Sequence, residues 1–183
     1  MPKFIVYFGD YNNEYVKNNV INYAAMSRFA KNVWSGGSGV FYNDIENIVK
    51  MFEITQQAYG EYSNGLIKHF VISFNDRSSR RITCIEYDVW LISQIISNYI
   101  GLRFQNVFYV HKGSQNNSRN LHVHFVVNRV SYLDGAKFYA NSECFHEIID
   151  YARENVHLLL ENENYKYLFW DNNISYEKSV WID

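Results

Sequence analysis

Cysteine is scarce in this chain: its 183 residues include two, Cys84 and Cys144. They stand far apart without a CxxC spacing, which excludes a disulfide framework; both are expected as small buried residues. No apolar run is long enough to cross a bilayer, and no stretch has the make-up of a secretory signal. The expected setting is therefore a reducing cytoplasm, with no membrane as partner. A basic excess is missing as well. Lys and Arg number 17 against 19 Asp and Glu, a net charge of -2, and the sequence pI is near 6.3. Binding of nucleic acid must then rest on local patches rather than on a global field. Arg77 with Arg80 and Arg81, Lys112 with Arg119, and Lys17 with Arg28 and Lys31 are the candidates, each otherwise an ordinary solvated face. Internal repeats and low-complexity segments are absent too.

What is present is a globular balance, 48% hydrophobic and 20% charged, in a length that suits one domain over 1–183. Residues 161–183 form a C-terminal extension, whose aromatics between 165 and 181 are expected to pack back on the fold or close over a bound strand. Aromatic content is 18%, with 16 Tyr and 13 Phe. Most of these belong in a core, yet tyrosines also act as nucleophiles and stacking platforms for unpaired bases.

Hydrophobic spacing predicts a strand over 4–8, a helix over 14–31, and a second helix from 45 capped by Asn43 or Asp44. The Gly-rich stretch 34–39 lacks the Lys-Ser/Thr ending of a P-loop and is expected as a flexible break. A strand over 67–74, a helix over 82–100, a hairpin over 104–130, a turn at Asp134-Gly135 and a helix over 142–157 complete the pattern. This order predicts an α+β sandwich: a central, mostly antiparallel sheet of about five strands, with helices over one face and the polar face of the central strands open.

Leu121-His122-Val123-His124-Phe125-Val126-Val127-Asn128 is the most telling segment. Side chains alternate across a strand, so Leu121, Val123, Phe125 and Val127 share one face, while His122, His124 and Asn128 share the other. Two neutral imidazoles on one strand face converge on a metal ion if a neighbouring strand supplies a third ligand. His111 is that ligand, because a hairpin through the loop 112–120 returns it beside His122 and His124. His69 and Ser73 fall on one face of the strand over 67–74 and would gather on the same side.

These residues resemble the HUH endonucleases, named for a His-hydrophobic-His motif that here reads His122-Val123-His124. Within that superfamily the chain is similar to the relaxase and mobilisation-nuclease family over residues 1–157. Val20-Ile21-Asn22-Tyr23 resembles the first family motif, with a nucleophilic tyrosine, and Lys68-His69-Phe70-Val71-Ile72-Ser73-Phe74 resembles the second. The third runs from His111 through Leu121 to Asn128-Arg129-Val130 and ends in Asp134-Gly135-Ala136-Lys137.

The resemblance implies strand-specific DNA nicking that initiates conjugative transfer or mobilisation. Tyr23 would attack the scissile phosphate to give a 5′-phosphotyrosine, and His111, His122 and His124 would hold a divalent cation. Mg or Mn is the ion the family implies; three imidazoles also suit Zn, Co or Ni by ligand softness. Single-stranded DNA at an origin of transfer is the implied partner, with an accessory DNA-binding protein as a second. His69, Ser73, Asn128 and Arg129 are candidate contacts to substrate or to the groups around it. A rolling-circle initiator or transposase would instead use a tyrosine on a later helix, where Tyr151 stands without the Lys expected one turn on. A non-catalytic single-strand-binding relative is the other alternative. A metal hydrolase of another class would need a carboxylate base, for which Asp76 and Glu86 are the candidates.

Overall fold

The computed structural model describes residues 3–8, 15–26, 31–63, 66–74, 86–113, 121–159 and 174–178. Their elements are β1 (Lys3–Phe8), α1 (Val16–Ala25), β2 (Lys31–Ser38), α2 (Ile45–Ala58), β3 (Ile67–Ser73), α3 (Glu86–Ile100), β4 (Asn106–Lys112), β5 (Leu121–Asn128), α4 (Ser142–Leu159) and β6 (Ile174–Lys178). The strands form one sheet in the order β2-β4-β5-β3-β1-β6. All pairings are antiparallel except that of β1 with β6. The α+β class is as expected, with six strands among the described residues rather than about five. The extra edge is β6, which takes part of the C-terminal extension onto β1.

Strand alternation builds two cores, one on each face. Val123, Phe125 and Val127 of β5 join Phe108 and Val110 of β4 and Phe70 and Ile72 of β3 against α3 and α4. Phe125 sits directly opposite both Phe70 and Phe108. On the other face Ile67, Val107, Tyr109 and Val126 meet Val20, Ile21 and Ala24 of α1 and Ile48, Val49 and Phe52 of α2. The expectation of helices over one face alone is thereby corrected. The histidine face also carries Val126, Val107 and Tyr109, enough apolar surface to require cover from water. α2 begins as predicted, with the Asp44 carboxylate accepting from the Glu46 backbone N–H at 2.9 Å. α1 ends at Ala25 rather than near 31, because Lys31 already belongs to β2.

The stretch 34–39 is the clearest departure, since most of it is edge strand β2 rather than a flexible break. Its glycines serve close approach, not mobility. A Cβ on Gly36 would lie 2.4 Å from the Phe108 ring and 2.8 Å from Gln94 Oε1, and one on Gly37 would lie 2.7 Å from the Asn106 carbonyl oxygen. The Trp90 indole N–H donates to the Ser35 carbonyl at 3.1 Å, fastening β2 to α3. Phe108 is fully buried and has little room to retreat. Gly36→Ala is therefore expected to destabilise the fold by about 1–3 kcal/mol through overpacking, measured as a lower thermal unfolding midpoint. An unchanged midpoint would contradict this account of the glycine.

Candidate metal and nucleophile site

The β4–β5 hairpin does bring the three predicted ligands together. His111 is directly opposite His122 in the antiparallel register, and Tyr109 is opposite His124. Ring centroids are 5.3 Å apart for His111 and His122, 4.8 Å for His111 and His124, and 5.1 Å for His122 and His124. One nitrogen from each ring lies within 4.8 Å of the others. His111 and His124 are buried and His122 is partly so.

Burial governs their protonation, since a charged imidazole loses its hydration there. It lowers His111 to about 4, helped by the neighbouring His122 and opposed by the Ala24 backbone. Burial also takes His124 well below the ordinary range, with His69, His122 and His111 adding to the effect. His69 falls to about 3 through burial. These rings are neutral at pH 7 and keep lone pairs for a cation.

Between pH 6.5 and about 4 for His111, or about 3 for His69, the unfolded chain binds a proton that the fold refuses. Stability from these neutral rings is full above pH 6.5 and falls below it, by ~1.4 kcal/mol per pH unit per histidine. With metal chelated, the urea midpoint should be clearly lower at pH 5 than at pH 7.5; equal midpoints would refute the burial argument.

α1 supplies the phenol. Its buried side, Val16, Val20, Ile21 and Ala24, lies against the sheet and leaves Tyr23 49% exposed above the histidines. The Tyr23 ring stands edge-on to His124 at 5.6 Å and to His69 at 5.9 Å. Partial burial raises its hydroxyl above the usual phenol range.

The remaining predicted residues fall in different places. Ser73 is directly opposite His122 on β3, on the histidine face. Asn128 is fully buried and committed to the fold: its amide donates to the Phe52 carbonyl and to Gln105 Oε1, and its oxygen accepts from Gln56 Nε2 and the Val130 N–H. That bonding occupies the groups it would offer to DNA. Arg129 follows the last residue of β5, five residues on from His124.

Tyr151 packs with the core of the opposite face, its ring stacked on Tyr99 at 4.5 Å. The sheet stands between it and the histidines. Glu86 is paired with Lys112, and Lys17 with Glu53 at 3.2 Å. Asp76, Arg28, Arg77, Arg80, Arg81, Cys84 and Arg119 lie outside the described residues. A pocket lined by Tyr99, Arg103, Lys137, Cys144 and Glu147 belongs to the α3/α4 side and shares no residue with the histidine site.

Tyr109 is the neighbour that the sequence reading passed over. Its hydroxyl is buried without a hydrogen-bond partner among the described residues, and burial drives its pKa up. Its place two residues before His111 on the same strand face was the available signal.

The residues fit a cation. Both ring nitrogens of His111 are buried, and neither makes a hydrogen bond of proper geometry among the described residues; such a buried polar group costs roughly 1–3 kcal/mol, and coordination would offset it for one of the two nitrogens. Three clustered imidazoles beside a half-exposed phenol form a group that could hold a metal ion. Residues 15–157 match the relaxase family, MobA/VirD2-like, nuclease domain, and the chain belongs to that family. The family nicks DNA in mobilisation, acts on single-stranded DNA at an origin of transfer, and uses a divalent metal. No curated protein and no solved structure matches the chain. No helix among the described residues is long and apolar enough to cross a membrane.

Proposed function

We propose that the chain nicks one DNA strand site-specifically by metal-dependent transesterification, with Tyr23 as nucleophile, to begin conjugative transfer or mobilisation. The placement of the Tyr23 ring edge-on to His124 and His69 carries this reading. It is the tyrosine at the first-motif position, and α1 brings it to the ligand cluster while leaving it accessible.

In the step itself the Tyr23 oxygen forms a bond to phosphorus and loses its proton. The bond from phosphorus to the 3′-oxygen breaks, and that oxygen departs with the electron pair and takes up a proton. A 5′-phosphotyrosine and a free 3′-hydroxyl result. A phenol is more acidic than an alcohol, with an ordinary pKa near 10, so the phosphotyrosine stays reactive enough for rejoining without ATP. His111, His122 and His124 would hold a divalent cation, Mg or Mn by family, which supplies Lewis acidity against the negative charge developing on the phosphate. The register of Ser73 opposite His122 supports a role for it beside the bound DNA strand. The balanced net charge suits an accessory DNA-binding protein as second partner, with the cytoplasm as the place of action.

The test uses Mn2+ and labelled single-stranded oligonucleotides from the genetic neighbourhood of the coding sequence, resolved on a denaturing gel. A metal-dependent covalent adduct is expected. If the metal binds yet no oligonucleotide from a plausible origin is attached, the non-catalytic binding reading replaces this one.

A further inference from the structure

We infer that His69 is a positioning residue: it accepts the Nδ1 proton of His124 and thereby commits the Nε2 lone pair of His124 to the metal. This rests on reading His111, His122 and His124 as the metal ligands. β3 lies beside β5, and His69 and His124 come together although 55 residues separate them in sequence; His69 Nε2 is 2.9 Å from His124 Nδ1.

The ring planes are 8° apart with centroids at 5.2 Å. That separation is taken up by the contact and the two ring radii, so the rings meet edge to edge in nearly one plane rather than face to face. Each nitrogen lone pair or N–H points along the line to the other. An ion on that line would need roughly 4 Å between the nitrogens, given bonds of about 2.0–2.1 Å to each. The gap suits a shared proton instead, which excludes a cation bridging His69 Nε2 and His124 Nδ1.

Two neutral rings sharing one proton allow two arrangements. If His69 donates, the proton of His124 sits on Nε2 and no lone pair remains for a cation. If His124 donates from Nδ1, its Nε2 is free to coordinate, and the proton of His69 sits on its own Nδ1. Only the second is compatible with a ligand role for His124. Hydrogen bonds of this kind, to the ring nitrogen that the metal does not use, fix both tautomer and ring orientation. His69 therefore acts through His124 and does not itself touch the phosphate.

The tests are Mn2+ titration by calorimetry and long-range proton–nitrogen NMR of the imidazoles in the metal-free wild type. His69→Leu keeps the bulk but removes the acceptor, and is expected to weaken Mn2+ binding about 10–100-fold. His69→Gln places a carboxamide oxygen where Nε2 stood and should stay within a few-fold of wild type. NMR should show the His124 proton on Nδ1, a readout that needs no variant to fold. A His124 proton on Nε2, an unweakened His69→Leu, or a folded His69→Gln as weak as His69→Leu overturns the proposal. Failure of the wild type to bind Mn2+ brings down the metal reading itself; tight wild-type binding with an unmoved His69→Leu brings down this proposal alone.

Discussion

Tyr23→Phe eliminates the covalent protein–DNA product and lowers nicking by at least about 10³-fold, the scale on which removal of an attacking nucleophile acts. The substitution deletes one oxygen and keeps the ring, so the edge contacts to His124 at 5.6 Å and His69 at 5.9 Å persist. Mn2+ affinity and unfolding temperature should consequently stay near wild type, which separates loss of the nucleophile from loss of the site. Tyr151→Phe, by contrast, leaves adduct formation intact, because that ring is stacked on Tyr99 in the core across the sheet. An adduct formed at full yield by Tyr23→Phe would remove Tyr23 from the mechanism and send the search to the other phenols.

His111→Leu produces opposite effects on activity and stability. Metal-dependent nicking should fall by about 10²-fold or more as one of three ligands disappears and the Lewis acid is lost. Metal-free stability should hold or rise by about 1 kcal/mol, because an apolar side chain of similar size removes two buried ring nitrogens that make no proper hydrogen bond among the described residues and adds apolar packing. Nicking with Mn2+ and urea unfolding in a chelator measure the two halves. A variant that is strongly destabilised yet still binds Mn2+ would show that His111 is a packing histidine. A side chain that destabilises the apo fold in exchange for a bound cation has the signature of selection for function.

Much of the site was legible because strand alternation is local. Leu121 to Asn128 writes its two faces into eight consecutive residues, and the loop before it made the return of His111 predictable. Asp44 declared its cap with its own side chain. Local pattern misleads where one residue type serves two physical purposes. Gly36 and Gly37 have the composition of a linker, but they are glycine because Phe108 and the Asn106 backbone approach too closely for a Cβ. Asn128 shared a face with the histidines, yet its bonding partners Phe52, Gln56 and Gln105 come from α2 and from the residue just before β4, which no local pattern reveals. The polar face also looked open because each strand contributes only one or two apolar residues to it. Val107, Tyr109 and Val126 form a surface only when β4 and β5 lie side by side.

By itself the sequence determined the chemistry each element presents: which strands carry imidazoles, and on which of their faces. Those features depend on neighbours within a few residues and on the fixed two-residue period of a strand. Only the tertiary structure decided which presented groups meet. The order β4-β5-β3 sets His69 against His124, α1 carries Tyr23 over both, and the thickness of the sheet keeps Tyr151 away. Such meetings are set by strand order and helix packing across long sequence separations, and no local periodicity encodes them.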